Sequence, residues 1–199
     1  VSRVSEMYLI RAEANCYLPG GETTAANDIK ALQARALRKQ PSEINLVYRN
    51  EFIELVTPII ENEKVKRMDK YIQHGTTSTL DHCIAVAYVS FAMAKKLNIH
   101  CDYNSLIRGA LLHDYFLYDW HVSDESHKWH GFSHARTALE NASHDFELTP
   151  IEKDIIEKHM FPLNIKLPKY RESYLVTIAD KICSSYETIY KVPYVAIYN

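Results

Sequence analysis

The chain has 199 residues, of which 47% are hydrophobic and 24% charged, and its formal net charge is −2 from 23 basic and 25 acidic residues. This composition is typical of a globular protein and argues against disorder. The charge balance argues against nucleic-acid binding, which needs a basic surface. No apolar run approaches the ~20 residues of a membrane helix, and no secretory leader opens the chain. The four cysteines form no CxxC pair, which favours free thiols in a reducing compartment, so we expect a cytoplasmic protein. From the charge balance and the short apolar runs we expect neither nucleic-acid nor membrane partners.

The first 45 residues are predicted to form a helical hairpin. Few glycines and apolar residues at helical spacing predict an all-α protein. Two predicted helices cover residues 5–18 and 24–37, and Pro19-Gly20-Gly21 separates them. A polar stretch around Pro41 is typical of a linker. We therefore divide the chain into a hairpin over residues 1–45 and a main domain over residues 46–199.

Three helical segments are predicted in the first half of the main domain. An amphipathic stretch covers residues 46–65 and is broken near Pro58. Residues 73–78 are predicted to form a turn, after which Ser78 or Thr79 can cap a long helix that ends near residue 97. Ser105 is the predicted N-cap of the next helix, which ends at residues 113–114.

The second half of the main domain begins with a predicted loop. Residues 115–132 lack a helical period and hold three histidines, which predicts an ordered surface loop. Ser133 is the predicted cap of a helix over residues 134–143, and that helix is not expected to extend back through residues 130–133. A capping box with proline at its first helical position begins a helix at residues 149–152, which runs to about residue 160. The last predicted helix covers residues 170–190.

Histidine is the unusual component, because six of the ten histidines lie in residues 113–144. Ionisable residues also fall on the apolar, inward faces of several helices: His82, His113 with Asp114, His159 and Asp180. Buried charges are normally paired or bound to metal, and helical bundles build metal sites from facing helices. Imidazole and carboxylate ligands without thiolate predict one or two divalent ions, with Fe or Mn favoured and Zn, Co or Mg as alternatives.

The order and spacing of His82, His113-Asp114 and Asp180 resemble the HD superfamily of metal-dependent phosphohydrolases. The flanking sequences resemble it too, with Thr79-Leu80-Asp81-His82 opening a helix, then Gly109-Ala110-Leu111-Leu112-His113-Asp114 and Ile178-Ala179-Asp180-Lys181. The two-metal subset of that family adds two histidines, which here would be His134 and His159, with His130 as a competing candidate. The resemblance covers about residues 46–190, and residues 112–163 look particularly like bacterial HD-domain proteins.

The resemblance implies an all-α HD-domain bundle and a site with assigned roles. The implied metal ligands are His82, His113, Asp114, His134, His159 and Asp180, of which Asp114 would bridge two ions and act in catalysis with His113. Activated hydroxide would attack a phosphoester or phosphoanhydride, commonly of a nucleotide. The substrate would be a small phosphorylated molecule. The sequence after the His-Asp doublet lacks the Gly-Lys and Gly-Tyr-Pro motifs of cyclic-dinucleotide hydrolases, which argues against that substrate.

Several basic residues are candidates to contact substrate phosphates, although solvated helix faces explain the same residue types: Arg108, Lys128, His130, Arg136, Lys158 and Lys181. A different class of function is a degenerate HD domain that binds a nucleotide as a sensor or interaction module.

Residues 1–40 also resemble helices of the SusD/RagB glycan-binding lipoproteins, over a small part of that family's length. The short span favours a fused or chimeric fragment over a working glycan binder.

Overall fold

The computed structural model describes residues 46–74, 77–119 and 130–190. The predicted all-α bundle is confirmed, because helices make up most of this part of the chain. The elements in order are α1 (Leu46–Ile60), α2 (Glu63–Lys66), a 3-10 turn (Arg67–Lys70), β1 (Ile72–His74), β2 (Thr77–Ser78), α3 (Thr79–Lys96), α4 (Tyr103–Leu112), α5 (His130–Asp145), α6 (Pro150–Lys158) and α7 (Arg171–Tyr190). In the described ranges no helix has the length and apolar character needed to span a bilayer. The predicted hairpin over residues 1–45 lies outside the described residues, and the boundary at residue 45 stays a prediction.

Side-chain caps begin four of the described helices, and three of these caps bear on the sequence predictions. The Ser78 hydroxyl accepts a hydrogen bond from the Asp81 backbone N–H at 3.1 Å, as predicted for α3. Thr149 and Glu152 form the predicted capping box of α6. The prediction for α4 was wrong: Asp102 is its N-cap, because its carboxylate accepts hydrogen bonds from the backbone N–H groups of Asn104 and Ser105. The helix therefore begins two residues before Ser105.

Three other boundaries differ from the sequence predictions. Pro58 lies inside α1, and the helix is broken only at residues 61–62. Proline has no N–H group to donate to the Glu54 carbonyl, and the helix tolerates this loss because Glu54 is exposed. The turn predicted at residues 73–78 contains an antiparallel strand pair, β1 with β2. α5 begins at His130 and runs through residues 131–133, although Gly131 and Ser133 have weak helix propensities. Tyr115 and Phe116, placed in a surface loop by sequence, are buried.

α3 is central in the bundle and packs against α4 and α7, while α6 packs against α4, α5 and α7. The core between these helices includes Val86, Phe91, Leu111, Ile155 and Val176, all nearly inaccessible to solvent. Burying each such side chain contributes about 1.5–3 kcal/mol.

Gly109 lets α4 and α6 approach closely. A Cβ atom at Gly109 would lie 2.5 Å from Ile155 Cδ1 and 3.2 Å from Ile155 Cβ, which is inside van der Waals contact. The glycine therefore removes the side chain that would separate the two helices. The C-terminal ends of α4 and α6, which carry His113 and His159, are held side by side as a result.

Candidate metal centre

Six buried side chains from five helices meet in the core of the bundle. His82 lies in the first turns of α3, His134 in α5 and Asp180 in α7, while His113 with Asp114 follows α4 and His159 follows α6. Each of the six is at most 7% exposed. They are the six side chains that the sequence analysis proposed as ligands, and the structure brings them together.

The ends of α4 and α6 orient two of the imidazoles. His113 and His159 are the C-cap residues of these helices and keep helical backbone angles. His113 Nδ1 donates to the Ala110 carbonyl at 2.7 Å, and His159 Nδ1 donates to the Ile156 carbonyl at 2.9 Å. Because a carbonyl only accepts, both Nδ1 atoms carry hydrogen. The Nε2 atom of each ring is thereby turned toward the cluster.

Asp114 lies between two pairs of histidines. Its Oδ2 atom is 3.8 Å from His82 Nε2 and 3.4 Å from His113 Nε2. Its Oδ1 atom is 3.4 Å from His134 Nε2 and 3.5 Å from His159 Nε2. One carboxylate thus presents a separate oxygen to each pair.

Asp180 completes the group around His82 and His113. Its Oδ1 atom lies 3.3 Å from His82 Nε2 and 3.7 Å from His113 Nε2. Ser184, one turn later on α7, donates a hydrogen bond to the same oxygen at 3.1 Å. The His82 group therefore has two carboxylates, those of Asp114 and Asp180, beside its imidazoles.

Electrostatic coupling between the acids and the imidazoles is strong. Burial opposes protonation of His82, but the Glu187 and Asp180 carboxylates outweigh it and raise the pKa of His82 to about 10. The pKa of His113 is also raised, since the attraction of Asp114 outweighs burial. Burial acts against ionisation of Asp114 and Asp180, yet the neighbouring histidines hold both pKa values well below the usual range. The positive charge favoured on His82 and His113 offsets the negative charge of the buried carboxylates.

The pKa of His159 is lowered, whereas those of His82 and His113 are raised. Burial and the nearby His113 lower the pKa of His159 to about 3, so its ring is neutral. Its Nδ1 hydrogen is used by the Ile156 carbonyl, and its Nε2 atom must accept. His134 Nε2 lies 3.0 Å away and donates that hydrogen bond.

The donor set fits divalent metal ions. Three groups have ligand atoms within 4.8 Å of one another: His82, His113 and Asp114; His113, His159 and Asp180; Asp114, His134 and His159. Among the described residues, His113 Nε2 and Asp114 Oδ1 are buried without a hydrogen-bond partner, an arrangement that is costly unless a cation is bound. The buried His and Asp groups could therefore hold a metal, through the nitrogen and oxygen donors that Fe, Mn, Zn and Co accept.

Two buried residues at the centre were missed by sequence reasoning. Gln73 in β1 donates a hydrogen bond to Asp114 Oδ2 at 2.6 Å, and Glu187 in α7 lies 2.9 Å from His82 Nδ1. A sequence signal existed for Glu187, since it falls seven residues after Asp180 and so on the same face of a helix. Gln73 gave no signal, because its segment has the composition of a turn.

The basic residues proposed to contact substrate have varied surroundings. Arg108 pairs with Glu152 at 3.2 Å at the start of α6, the end away from His159. Lys158 Nζ forms an ion pair with Asp154 Oδ1. The exposed Arg136 has its Nε atom 3.8 Å from Glu140 Oε1. Lys181 Nζ lies 3.5 Å from the backbone carbonyl oxygen of His159, a residue of the cluster. Lys128 and the side chain of His130 lie outside the described residues.

The fold and the site define an all-helical protein with a buried histidine–aspartate cluster suited to divalent metals. The model of the HD domain family matches residues 79–184, which span just over half of the chain, and the chain belongs to this family. Comparison with curated proteins gives no match. Comparison with solved structures gives none either. The SusD/RagB resemblance of residues 1–40 finds no support, and that segment is outside the described residues.

Proposed function

We propose that this protein is a metal-dependent phosphohydrolase that cleaves a phosphoester or phosphoanhydride bond of a small molecule, with nucleotides as the first substrate class to test. The observation that carries the proposal is the position of Asp114, whose two carboxylate oxygens face two separate histidine pairs. A carboxylate that offers one oxygen to each of two ions would suit a binuclear site that acts on phosphoryl groups.

The proposal assigns roles to the residues of the cluster. His82, His113, Asp114 and Asp180 would hold one ion, and Asp114, His134 and His159 a second. When bound, such ions polarise the phosphoryl group and lower the pKa of a water nucleophile. The chain itself holds the His113 and His159 imidazoles by their Nδ1 hydrogens and keeps the Asp114 and Asp180 carboxylates ionised. Lys181, beside the His159 carbonyl, would contribute a positive charge toward the phosphate oxygens.

The choice of metal belongs to the same proposal. Iron and manganese suit the mixture of imidazole and carboxylate better than thiolate-seeking ions, and zinc, cobalt and magnesium are the alternatives. Cys83 does not change this, because its Sγ atom lies 3.7 Å from His113 Nδ1, on the side of the ring turned away from the cluster.

Metal analysis and a substrate panel test the proposal. Protein prepared without oxygen is expected to hold Fe or Mn and to release phosphate or a phosphorylated product from at least one nucleotide or phosphoester. Asp114→Asn should lose both properties, whereas His144→Gln, at an exposed histidine outside the cluster, should keep both. A metal-loaded protein that binds a nucleotide and hydrolyses nothing in the panel would favour the sensor function instead.

A further inference from the structure

The side chain of Gln73 reaches the cluster from β1, an element that carries none of the proposed metal ligands. Gln73 is 5% exposed, and its Nε2 group donates a hydrogen bond to Asp114 Oδ2 at 2.6 Å. The same oxygen lies 3.8 Å from His82 Nε2 and 3.4 Å from His113 Nε2. Gln73 therefore contacts the shared carboxylate at the oxygen that faces one of the two histidine pairs.

The orientation of the Gln73 amide follows from its two neighbours. Thr79 Oγ1 donates to Gln73 Oε1 at 3.4 Å, and the ionised carboxylate of Asp114 can only accept hydrogen bonds. If the amide were reversed, its oxygen would face the carboxylate oxygen at 2.6 Å and the contact would be repulsive. The Nε2 group is therefore the end of the amide that faces Asp114.

The strand pair holds Gln73 to the start of α3. β1 pairs with β2 so that Ile72 lies opposite Ser78, and Ser78 is the N-cap residue of α3. The strand pair and the first turns of α3 thus form one hydrogen-bonded unit. Two side chains of this unit, Gln73 and His82, face the same oxygen of Asp114.

Rotation about the Cβ–Cγ bond of Asp114 decides where its two carboxylate oxygens point. This terminal torsion is broad in aspartate side chains, and among the described residues none donates a hydrogen bond to Oδ1. The short bond from Gln73 to Oδ2 would be lost if the carboxylate turned. It therefore favours the rotation in which Oδ2 faces one histidine pair and Oδ1 faces the other.

The absence of charge on the Gln73 amide suits a position beside divalent cations. A lysine or arginine could also donate to the carboxylate, but its positive charge would repel the ions strongly in a buried setting. An amide supplies the N–H group without that charge. Carboxylates that bind metals are themselves held by outer hydrogen bonds of this kind, which orient them for the ion.

We propose that Gln73 is a positioning residue that holds the Asp114 carboxylate in the rotation that lets it bridge two metal ions. Gln73 acts through Asp114 and is not itself a metal ligand. The inference rests on the proposed function, because it assumes that the cluster binds a pair of ions.

Metal titration of a matched pair of variants tests the inference. Gln73→Leu keeps a side chain of similar size and removes the donor. Ser90→Ala is the control, because it removes a buried hydrogen bond within α3, from Ser90 Oγ to the Ala87 carbonyl at 3.0 Å, about two helical turns beyond His82. The whole chain would be stripped with a chelator and titrated with Mn²⁺ by calorimetry, and electron paramagnetic resonance would distinguish isolated ions from a spin-coupled pair.

The wild type should bind two ions per chain and give the resonance signal of a coupled pair. Gln73→Leu should weaken uptake about 10–100-fold, and the ions that it does bind should give mainly the signal of isolated Mn²⁺. A loss of stability alone would not uncouple ions that remain bound. Ser90→Ala should match the wild type in affinity and in signal.

A coupled pair bound with unchanged affinity by Gln73→Leu would overturn the inference. A wild type that binds a single ion would overturn it too, because no bridge would then form. A wild type that binds no ion would overturn the proposed function itself.

Circular dichroism would establish that each variant folds. If Gln73→Leu does not fold, Gln73→Asn provides the test, because it keeps the amide and draws it back from Asp114 by one methylene group. The expected result is a pair of ions bound several-fold more weakly than by the wild type, with a weaker signal of the coupled pair. Unchanged affinity and coupling in a folded Gln73→Asn protein would contradict the inference.

Discussion

Gln73 donates a hydrogen bond to Asp114 Oδ2 at 2.6 Å and thereby joins β1 to the turn that follows α4. The same amide is held at its other end, because Thr79 Oγ1 donates to Gln73 Oε1 at 3.4 Å. Both residues are buried. The short strand pair therefore has a role in the site: it brings a neutral donor to the carboxylate that faces both histidine pairs.

Removing this donor should loosen Asp114. Gln73→Leu deprives a buried carboxylate oxygen of its shortest hydrogen bond, which should lower the free energy of unfolding of the metal-free protein by about 1–3 kcal/mol. Gln73→Glu should be more destabilising, because a second carboxylate would face Asp114. Urea unfolding at pH 7 measures both, and a Gln73→Glu protein as stable as the wild type would contradict this role for Gln73.

Gly109 should couple energetically to Ile155. Gly109→Ala brings a Cβ atom to 2.5 Å from Ile155 Cδ1, and such overpacking costs about 1–3 kcal/mol, partly offset by the higher helix propensity of alanine, about 1 kcal/mol. Ile155→Val removes the atom that clashes. A double-mutant cycle should therefore show that the two substitutions together are less destabilising than the sum of their separate effects.

Ile156→Val is the matched control for that cycle, since Ile156 is equally buried on α6 and the three atoms nearest to the added methyl group all belong to Ile155. Its effect on the free energy of unfolding should add to that of Gly109→Ala. Equal coupling for the two isoleucine variants would show that the close approach at Gly109 does not depend on Ile155.

Asp145 should contribute to acid sensitivity. The Lys64 ammonium, with help from the Tyr115 hydroxyl and His144, lowers the pKa of Asp145 to about 2 from its ordinary value of 3.8. Because the folded-state pKa is depressed, this stabilisation is present above pH 4 and is lost as the pH falls from about 4 to 2. Lys64 is half-exposed, so solvent screening limits the contribution to roughly 1 kcal/mol or less.

The pKa values of other buried carboxylates, such as Asp114 and Asp180, are also lowered. The free energy of unfolding of the wild type must therefore be compared with that of a variant at each pH. The difference in free energy of unfolding between the wild type and Asp145→Asn should be largest at pH 5 and should shrink toward zero near pH 2. A difference that is constant across this range would mean that the Asp145 charge does not stabilise the folded protein.

Features decided by local chemistry could be predicted from the sequence. The cap at Ser78 and the capping box at Thr149 satisfy backbone N–H groups within three residues, so their signal lies in a short window of sequence. His82, His159 and Asp180 could be placed in the interior because each follows an apolar helical stripe. Those stripes can be buried together in few ways, and this brings the residues to one centre.

Features that depend on a distant partner were missed, and Gln73 was missed for want of any sequence signal. Gln73 lies 41 residues from Asp114, and Glu187 lies 105 residues from His82. The mistaken cap at Ser105 has a similar origin: Asp102 is also a good N-cap, and its own backbone N–H is held by Glu172 of α7, 70 residues away. Tertiary contacts thus select among local alternatives that the sequence leaves nearly equal in free energy.

Metal-dependent release of phosphate by the wild type and Asp114→Asn would show whether the histidine–aspartate cluster is a hydrolytic metal centre. Both proteins would be stripped with a chelator, reloaded with Fe²⁺ or Mn²⁺ without oxygen, and assayed against the same nucleotides and phosphoesters. The wild type should lose hydrolysis on chelation and regain it with metal. Asp114→Asn should regain less than about one hundredth of it, in line with the loss of a transition-state interaction of several kcal/mol. Hydrolysis that persists in the stripped wild type, or that Asp114→Asn retains in full, would contradict that role of the cluster.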